Sequence, residues 1–483
     1  MKAVPFTFPG VRQERDAGAP RDPRKRGRDR LAGQSRPDDV TRRDTPAPAK
    51  WLLAAIAVVL AARLVAFRHW PIAPDDAYIT FHSCIDKVWR AATTSPGWAI
   101  LLSAGDPFTA SRLYALAADV VALWAAWRVL SPLGFLAFAG FWASPIMCYS
   151  ACSGLETHWV AAAFVLARVW PGGFGLAAAL RPDAALLALV AAGKRWKWAL
   201  AGAAVFLISS RLWGQHWIPQ TVTSKAAVYG IRPGAWDWLT PLGVGWLVPL
   251  LFPIALQSPG MRLYAAAAAL FLVGHVILGT PQFWWYSIPP STMIAIAAAG
   301  ALRHRRSLIA GLALIVAFAP GQIAFADFRS SKDQEIWQLG SQIAWNSAPC
   351  RILLEPAGII PYLNPAFTCV DDVGLIDPWM AKCSAEGAGW RTRAIEHYHP
   401  DLIIVRQGEY VFPDAWKVGW NPPYRNSEEA HLTGYQLLPL GSITGKAGTF
   451  SEKFKSDGLL ILRKTRPGET TQPPSYILKS PAP

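Results

Sequence analysis

Charge is scarce in this sequence. Only 16% of its 483 residues are charged while 52% are hydrophobic, a balance that argues against an ordinary soluble chain. Acidic residues are scarcer than basic ones, 32 against 47, and the formal net charge is +15. In a polytopic membrane protein such an excess sits in loops and tails, and nucleic-acid binding is the weaker reading of it. Cysteine is sparse too. Of six, Cys350, Cys369 and Cys383 lie toward the C-terminus, where one bridge is permitted but the odd count excludes a disulfide framework, and no spacing resembles a metal site. No small-residue cleavage site follows the apolar run that starts at Trp51, so no signal peptide is expected. No inverted repeat of the kind seen in transporters is evident.

What is present in quantity is apolar sequence cut by short polar breaks. Residues 1–50 are rich in Arg, Asp and Pro, carry 24-RKRGRDR-30, and read as a disordered basic cytoplasmic tail. From Trp51, runs near the roughly twenty residues needed to span a bilayer occur at 51–67, 108–129, 132–150, 157–170, 198–213, 238–256, 263–279, 286–302 and 307–326. Arg128, 194-KRWK-197, Arg262 and 303-RHRR-306 are placed inside by the positive-inside rule. A full crossing by residues 174–193 would put 194-KRWK-197 on the wrong side. A re-entrant hairpin broken at Arg181-Pro182 resolves this, because proline interrupts the helical ladder. The expected fold class is therefore an α-helical polytopic membrane bundle of about ten spans plus a hairpin, over residues 51–327.

Beyond residue 328 charge rises and apolar runs shorten to strand length. The stretches 351-RILLEPAGIIPYL-363, 400-PDLIIVRQG-408 and 458-GLLILRK-464 read as buried strands, so residues 328–465 are expected to form a small extracytoplasmic α/β domain, followed by a disordered tail at 466–483.

The polar motifs 74-PDDAYITF-81, 94-TSPGW-98, 153-SGLET-157, 181-RPD-183, 219-PQTVTSK-225, 355-EPAGIIPYL-363 and 371-DDVGLIDPWMA-381 all fall on the same, outer side of this topology. In their order and spacing they resemble the GT-C superfamily of membrane glycosyltransferases. The likeness is to the mycobacterial terminal arabinofuranosyltransferases, related polyprenyl-phosphate-sugar transferases and dolichyl-phosphate-mannose-type mannosyltransferases, and it runs from about residue 54 to about residue 406. The resemblance implies an enzyme of the cell envelope, in the inner membrane with its active site outside. Such an enzyme moves a hexosyl or pentosyl group from a polyprenyl-phosphate donor to a hydroxyl of a glycan, lipid or protein acceptor.

The resemblance maps the family's acidic group in the first external loop onto Asp75 or Asp76. Inverting transfer needs a general base at the attacking hydroxyl, and Asp76 is the favoured one; the pair is also the only candidate for holding a divalent cation against the phosphate. The alternative is that the pair merely caps the helix starting near Tyr78. Glu156, with His158 as neighbour, opens a span from outside. Arg181 and Asp183 sit in the broken segment, where they are either a phosphate contact or an internal ion pair. Lys225 is a point charge for the phosphate or a headgroup anchor. Tyr78, Asp372 and Asp377 complete the candidate donor and acceptor contacts, with Asp371 beside them; turn formation is the competing role for these aspartates. Trp284, Trp285 and Tyr286 read as an interfacial belt before a sugar platform. A transporter and a non-catalytic envelope scaffold are the other classes considered; neither explains why so many carboxylates share the outer side.

Overall fold

A computed structural model describes residues 47–222, 224, 247–278, 283–302, 304–346, 349–354, 357–371, 374–385, 390–406, 435–437 and 459–464. The expected basic N-terminal tail, apart from its last few residues, and the C-terminal tail lie outside the described residues, as does the first part of the 238–256 run, residues 238–246.

The chain is mostly helical. In order, α1 is Ala49–His69, α2 Asp75–Ile85, α3 Pro96–Leu102, α4 Pro107–Val129, α5 Pro132–Trp142, α6 Pro145–Cys152 and α7 Thr157–Leu166. Next come α8 Gly172–Leu180, α9 Pro182–Ala192, α10 Trp196–Gly214, α11 Leu247–Leu256, α12 Arg262–Leu278, α13 Ile288–Ala301 and α14 Arg305–Asn346. Proline sets many of the starts: α3, α4, α5, α6 and α9 each carry it in their first turn, where its missing N–H costs nothing. Asp106 and Ser131 add side-chain caps, accepting from the Thr109 and Gly134 amides at 2.8 and 3.2 Å.

Among the described residues three helices, α1, α4 and α14, are long and apolar enough to cross a membrane, and a fourth crossing is counted if α5 and α6, bent by 57° at their junction, form one span. That is fewer than the apolar runs suggest. The run 157–170 yields a helix ending at Leu166, and a ten-residue helix is about 15 Å long against a hydrocarbon core near 30 Å. Hydropathy counts apolar residues without registering where the helix stops. The chain does break at Arg181: α8 and α9 pack on each other across it, and its backbone is extended (φ −146°, ψ 137°). α10 lies against α8 so closely that a Cβ on Gly202 would collide with the Gly175 carbonyl. α13 is buried almost throughout, contacting α5, α7, α11 and α12 at the centre of the bundle.

α14 departs from the expected domain boundary. It runs 42 residues without a break at residue 328, because the polar segment after Ala326 continues as helix rather than starting a new unit. The sheet region then begins with β1 Arg351–Leu354, α15 Ile359–Leu363, β2 Thr368–Asp371, α16 Pro378–Ala385, α17 Trp390–Tyr398 and β3 Leu402–Arg406. β4 Tyr435–Leu437 and β5 Leu459–Lys464 complete it. The strand order is β2-β1-β3-β5-β4, with β1 parallel to β2 and β3, and β5 antiparallel to β3 and β4. The expected strand over 351–363 stops at Leu354; turn-forming residues intervene and α15 follows. Ile352, Leu354 and Ile404 pack with Leu339 and Ile343 of α14 and Ile79 of α2, so the sheet rests on the far end of α14.

Candidate active site

α2 begins at Asp75 itself, with Pro74 before it and no side-chain cap of its own N-terminus. The Asp75 carboxylate is turned to another element. It accepts from the Ile359 amide at 2.7 Å and from the Gly358 amide at 3.2 Å, capping α15 from 283 residues away in sequence, while the Asp75 amide donates to Asp333 of α14 at 3.2 Å. Only glycine fits at 358, since any Cβ there would collide with the Asp75 carbonyl. Asp76 is partly exposed and, one residue further on, projects about 100° round the helix from Asp75. Both Asp75 oxygens receive backbone donors, so the pair does not fit a shared cation site, and no group of three metal-ligating side chains occurs among the described residues. Tyr78 is 2% exposed, its ring against Phe81, Trp337 and Tyr362; it walls the junction instead of lining an open surface.

Next to the segment leading into α2 lies a group of donors that sequence reasoning missed. The Arg112 guanidinium is stacked over Phe108 and Phe67 and donates to the carbonyls of Pro71 (2.7 Å) and Trp70 (3.4 Å). Tyr149, 1% exposed, sits between the rings of Trp70 and Trp284, within electrostatic reach of Arg329 and Asp333. The Arg112 Nε, the Arg329 Nε, the Tyr149 hydroxyl and the Trp284 Nε1 are all buried without a hydrogen-bond partner among the described residues. Buried donors normally find acceptors, so these four orphans suit a group that supplies oxygens. The two arginines favour an oxyanion there, against the negative charge of the neighbouring Asp333. The sequence signal was a charged residue at each end of an apolar stretch, Arg112 early in α4 and Arg329 just past residue 326.

Arg181 is engaged elsewhere. Its Nε and Nη2 form a two-pronged pair with Asp183 at 2.8 and 2.6 Å, and its Nη1 donates to Thr157 at 2.8 Å and lies 3.5 Å from Glu156. The guanidinium also lies over Tyr286, 4.9 Å from the ring centroid. The motifs 153-SGLET-157 and 181-RPD-183 are thus joined, and Trp98 of 94-TSPGW-98 ties in through the Gly154 carbonyl at 2.9 Å. All three guanidinium nitrogens are used within the protein, which leaves no open fork for a phosphate. Trp284 and Trp285 are 8% and 6% exposed, so they are bundle residues and not an interfacial belt.

His158 is not beside Glu156. Two positions apart on a helix, the side chains face nearly opposite ways. His158 Nε2 is 2.9 Å from Asp119 Oδ1, in a sealed network where Arg63 grips both Asp119 oxygens at 3.0 Å and Trp142 donates to Asp119 at 2.6 Å. Arg63, Asp119 and His158 are at most 1% exposed, and charge removed from water so completely needs this full set of partners. Asp371 accepts from the Leu375 and Ile376 amides at 2.7 and 2.9 Å, a turn role. Asp377 caps α16 through the Trp379 amide (2.8 Å) and receives the Tyr398 hydroxyl. Lys225 and Asp372 lie outside the described residues; nearby, Gln220 and Ser224 donate to the Gly374 carbonyl at 2.9 and 2.7 Å, so the 219–225 motif docks on the 371–381 one.

No family model matches the chain, no curated protein matches it, and no solved structure matches it.

Proposed function

We propose that the protein is an integral membrane glycosyltransferase of the GT-C type, moving a sugar from a polyprenyl-phosphate donor to a hydroxyl of an envelope glycan, lipid or protein on the outer face of the membrane. The observation that carries this reading is the cluster of buried, acceptorless donors from Arg112, Arg329 and Tyr149, adjoining the segment that leads into Asp76. A membrane setting is supported by large apolar side chains left exposed along α1 (Leu53, Val58, Leu64, Val65), α10 (Leu207, Ile208, Leu212) and α14 (Ile309, Val316). In that setting the long apolar helices cross the bilayer, the α8–α9 hairpin re-enters, and the sheet region lies outside.

In the proposed reaction the acceptor oxygen attacks the anomeric carbon and Asp76 takes the hydroxyl proton. The bond from that carbon to the phosphate oxygen breaks on the opposite face, inverting the centre. Polyprenyl phosphate leaves with the electron pair, its growing charge met by Arg112 and Arg329. Asp75 holds α2 against α15 and so fixes where Asp76 stands.

The test is transfer by protein reconstituted in nanodiscs, using polyprenyl-phosphate-linked pentoses and hexoses and measuring released polyprenyl phosphate. The parent is expected to turn over at least one donor, and Asp76→Asn to lose about 10²- to 10⁴-fold in rate while still binding it. A folded parent that releases polyprenyl phosphate from none of them refutes the proposal.

A further inference from the structure

One carboxylate on α14 ties down the outer end of α1. Asp327 Oδ1 accepts from Trp70 Nε1 at 2.9 Å and lies 2.9 Å from His69 Nε2. Further along α14, about 9 Å away, Asp333 accepts from the Asp75 amide at 3.2 Å. The segment between these two clasps, 70-WPIAP-74, is a strap. Proline at 71 ends α1, and with a second proline at 74 the strap has few amides to bond with.

Behind the strap lie the unpartnered donors. The Trp70 ring, 5% exposed, stands edge-on to Tyr149 with centroids 5.4 Å apart, and the Trp70 and Pro71 carbonyls are held by Arg112. Arg329 follows Asp327 by two residues on α14. The orphan atoms of Arg112, Tyr149, Arg329 and Trp284 are closed off from solvent, so an oxyanion reaches them only if part of the wall moves. The strap is the part least held. Pro71 is exposed, and the His69 and Asp327 side chains are 59% and 46% exposed, so water competes for that half of the latch.

We propose that 70-WPIAP-74 is a latched lid over the oxyanion site: the contacts of Asp327 with Trp70 and His69 hold it shut, and their release admits the donor's phosphate. The proposal rests on the phosphate reading of the donor cluster above. Since the strap runs directly into Asp75, whose amide is the second clasp, lifting it also loosens the first turn of α2. Entry of the donor and placement of Asp76 are thereby coupled.

The experiment uses the full chain in nanodiscs. Hydrogen exchange of residues 72–78 reports the lid without any ligand, and stopped-flow tryptophan fluorescence with farnesyl phosphate, against farnesol, reports entry. Trp70→Phe keeps the ring and removes its N–H, while His69→Ala removes the exposed half of the latch. Lid opening is expected to rise about tenfold in the first and about threefold in the second, the effect of losing one hydrogen bond to a carboxylate at a buried and at a wet position. Exchange rises by those factors. Farnesyl phosphate is expected to associate and dissociate faster by the same factors with its affinity unchanged, because only the open fraction differs, and farnesol to give no signal. Where Trp70→Phe fails to fold, His69→Ala decides. The inference is overturned if both variants exchange like the parent, or if they bind farnesyl phosphate more weakly with association unchanged, as loss of a merely structural contact would give. Exchange raised as expected, with farnesyl phosphate bound by none of the three proteins, keeps the lid and removes the phosphate reading. Binding at parental rates in all three keeps that reading and removes the lid.

Discussion

Replacing Asp75 by Ala tests whether two adjacent carboxylates have separate jobs. The substitution removes the acceptor for the Ile359 amide at 2.7 Å and for the Gly358 amide, and leaves both at a packed junction between α2 and α15. A capping carboxylate is worth about 0.5–2 kcal/mol, and each buried amide left unpaired costs about 1–3 kcal/mol. Allowing for water reaching the partly exposed site, the expected local loss is about 3 kcal/mol, which is roughly a 10²-fold drop in the hydrogen-exchange protection of residues 358–363. Exchange followed by mass spectrometry reads this directly, with peptides from α4 as the unchanged control. Asp75→Asn, which keeps an acceptor oxygen but not the charge, is expected to fall between parent and Ala. Asp76→Asn is expected to leave exchange at 358–363 untouched while abolishing most transfer. If Asp75→Ala exchanges like the parent there, the carboxylate does not cap α15, and the division of roles between the two residues fails.

Other outcomes follow from the packing and charge described above. Arg112→Ala and Arg329→Ala are each expected to raise the donor KM about tenfold or more, and Arg112→Lys to recover little, as a point charge does not replace a stacked fork; unchanged donor kinetics in both Ala variants would remove the phosphate site. Gly202→Ala is expected to lower the detergent-solubilised unfolding temperature by the equivalent of about 1–3 kcal/mol, since α8 and α10 must separate, whereas Gly274→Ala, with open space around it, is expected to be neutral or slightly stabilising. Burial pushes His82 down from 6.5 to about 4, with Asp86 opposing, and its ring stacks on Trp89. The unfolded chain therefore takes up the proton first as pH falls. Stability is complete above pH 6.5 and declines as pH drops from 6.5 toward 4, by up to about 1.4 kcal/mol per unit, and His82→Phe is expected to flatten that decline in thermal melts.

Which parts of this arrangement were legible in the sequence depended on how local their causes were. The break at Arg181-Pro182 was visible because proline disrupts its own helix, and β1, β3 and β5 were visible as short apolar runs between polar punctuation. The grouping of 94-TSPGW-98, 153-SGLET-157 and 181-RPD-183 followed from assigning them one side. The bond from Asp75 to Ile359 was not readable, because nothing in 74-PDDAY-78 distinguishes a carboxylate that caps its own helix from one that caps a helix far along the chain. The network of Arg63 with Asp119 was hidden by a window average that treats one charge in an apolar run as a small penalty instead of half of an ion pair. The length of α14 was hidden for the opposite reason: once its sequence turns polar at residue 327, hydropathy no longer reports helix.

That helix has a mechanical consequence. At 42 residues α14 is about 63 Å long, roughly twice the hydrocarbon thickness, and the sheet is packed against its last turns. It works as a lever arm: a tilt of about 5° at the bundle end displaces the sheet end by about 5 Å, more than the width of one hydrogen bond. In the proposed membrane setting, bilayer thickness sets that tilt, since a long helix answers hydrophobic mismatch by leaning. Because α2 is tied to that same end through Asp75, Asp333 and Ile79, Asp76 and the sheet would be carried together, and a thicker or thinner bilayer would change the height of both above the membrane surface.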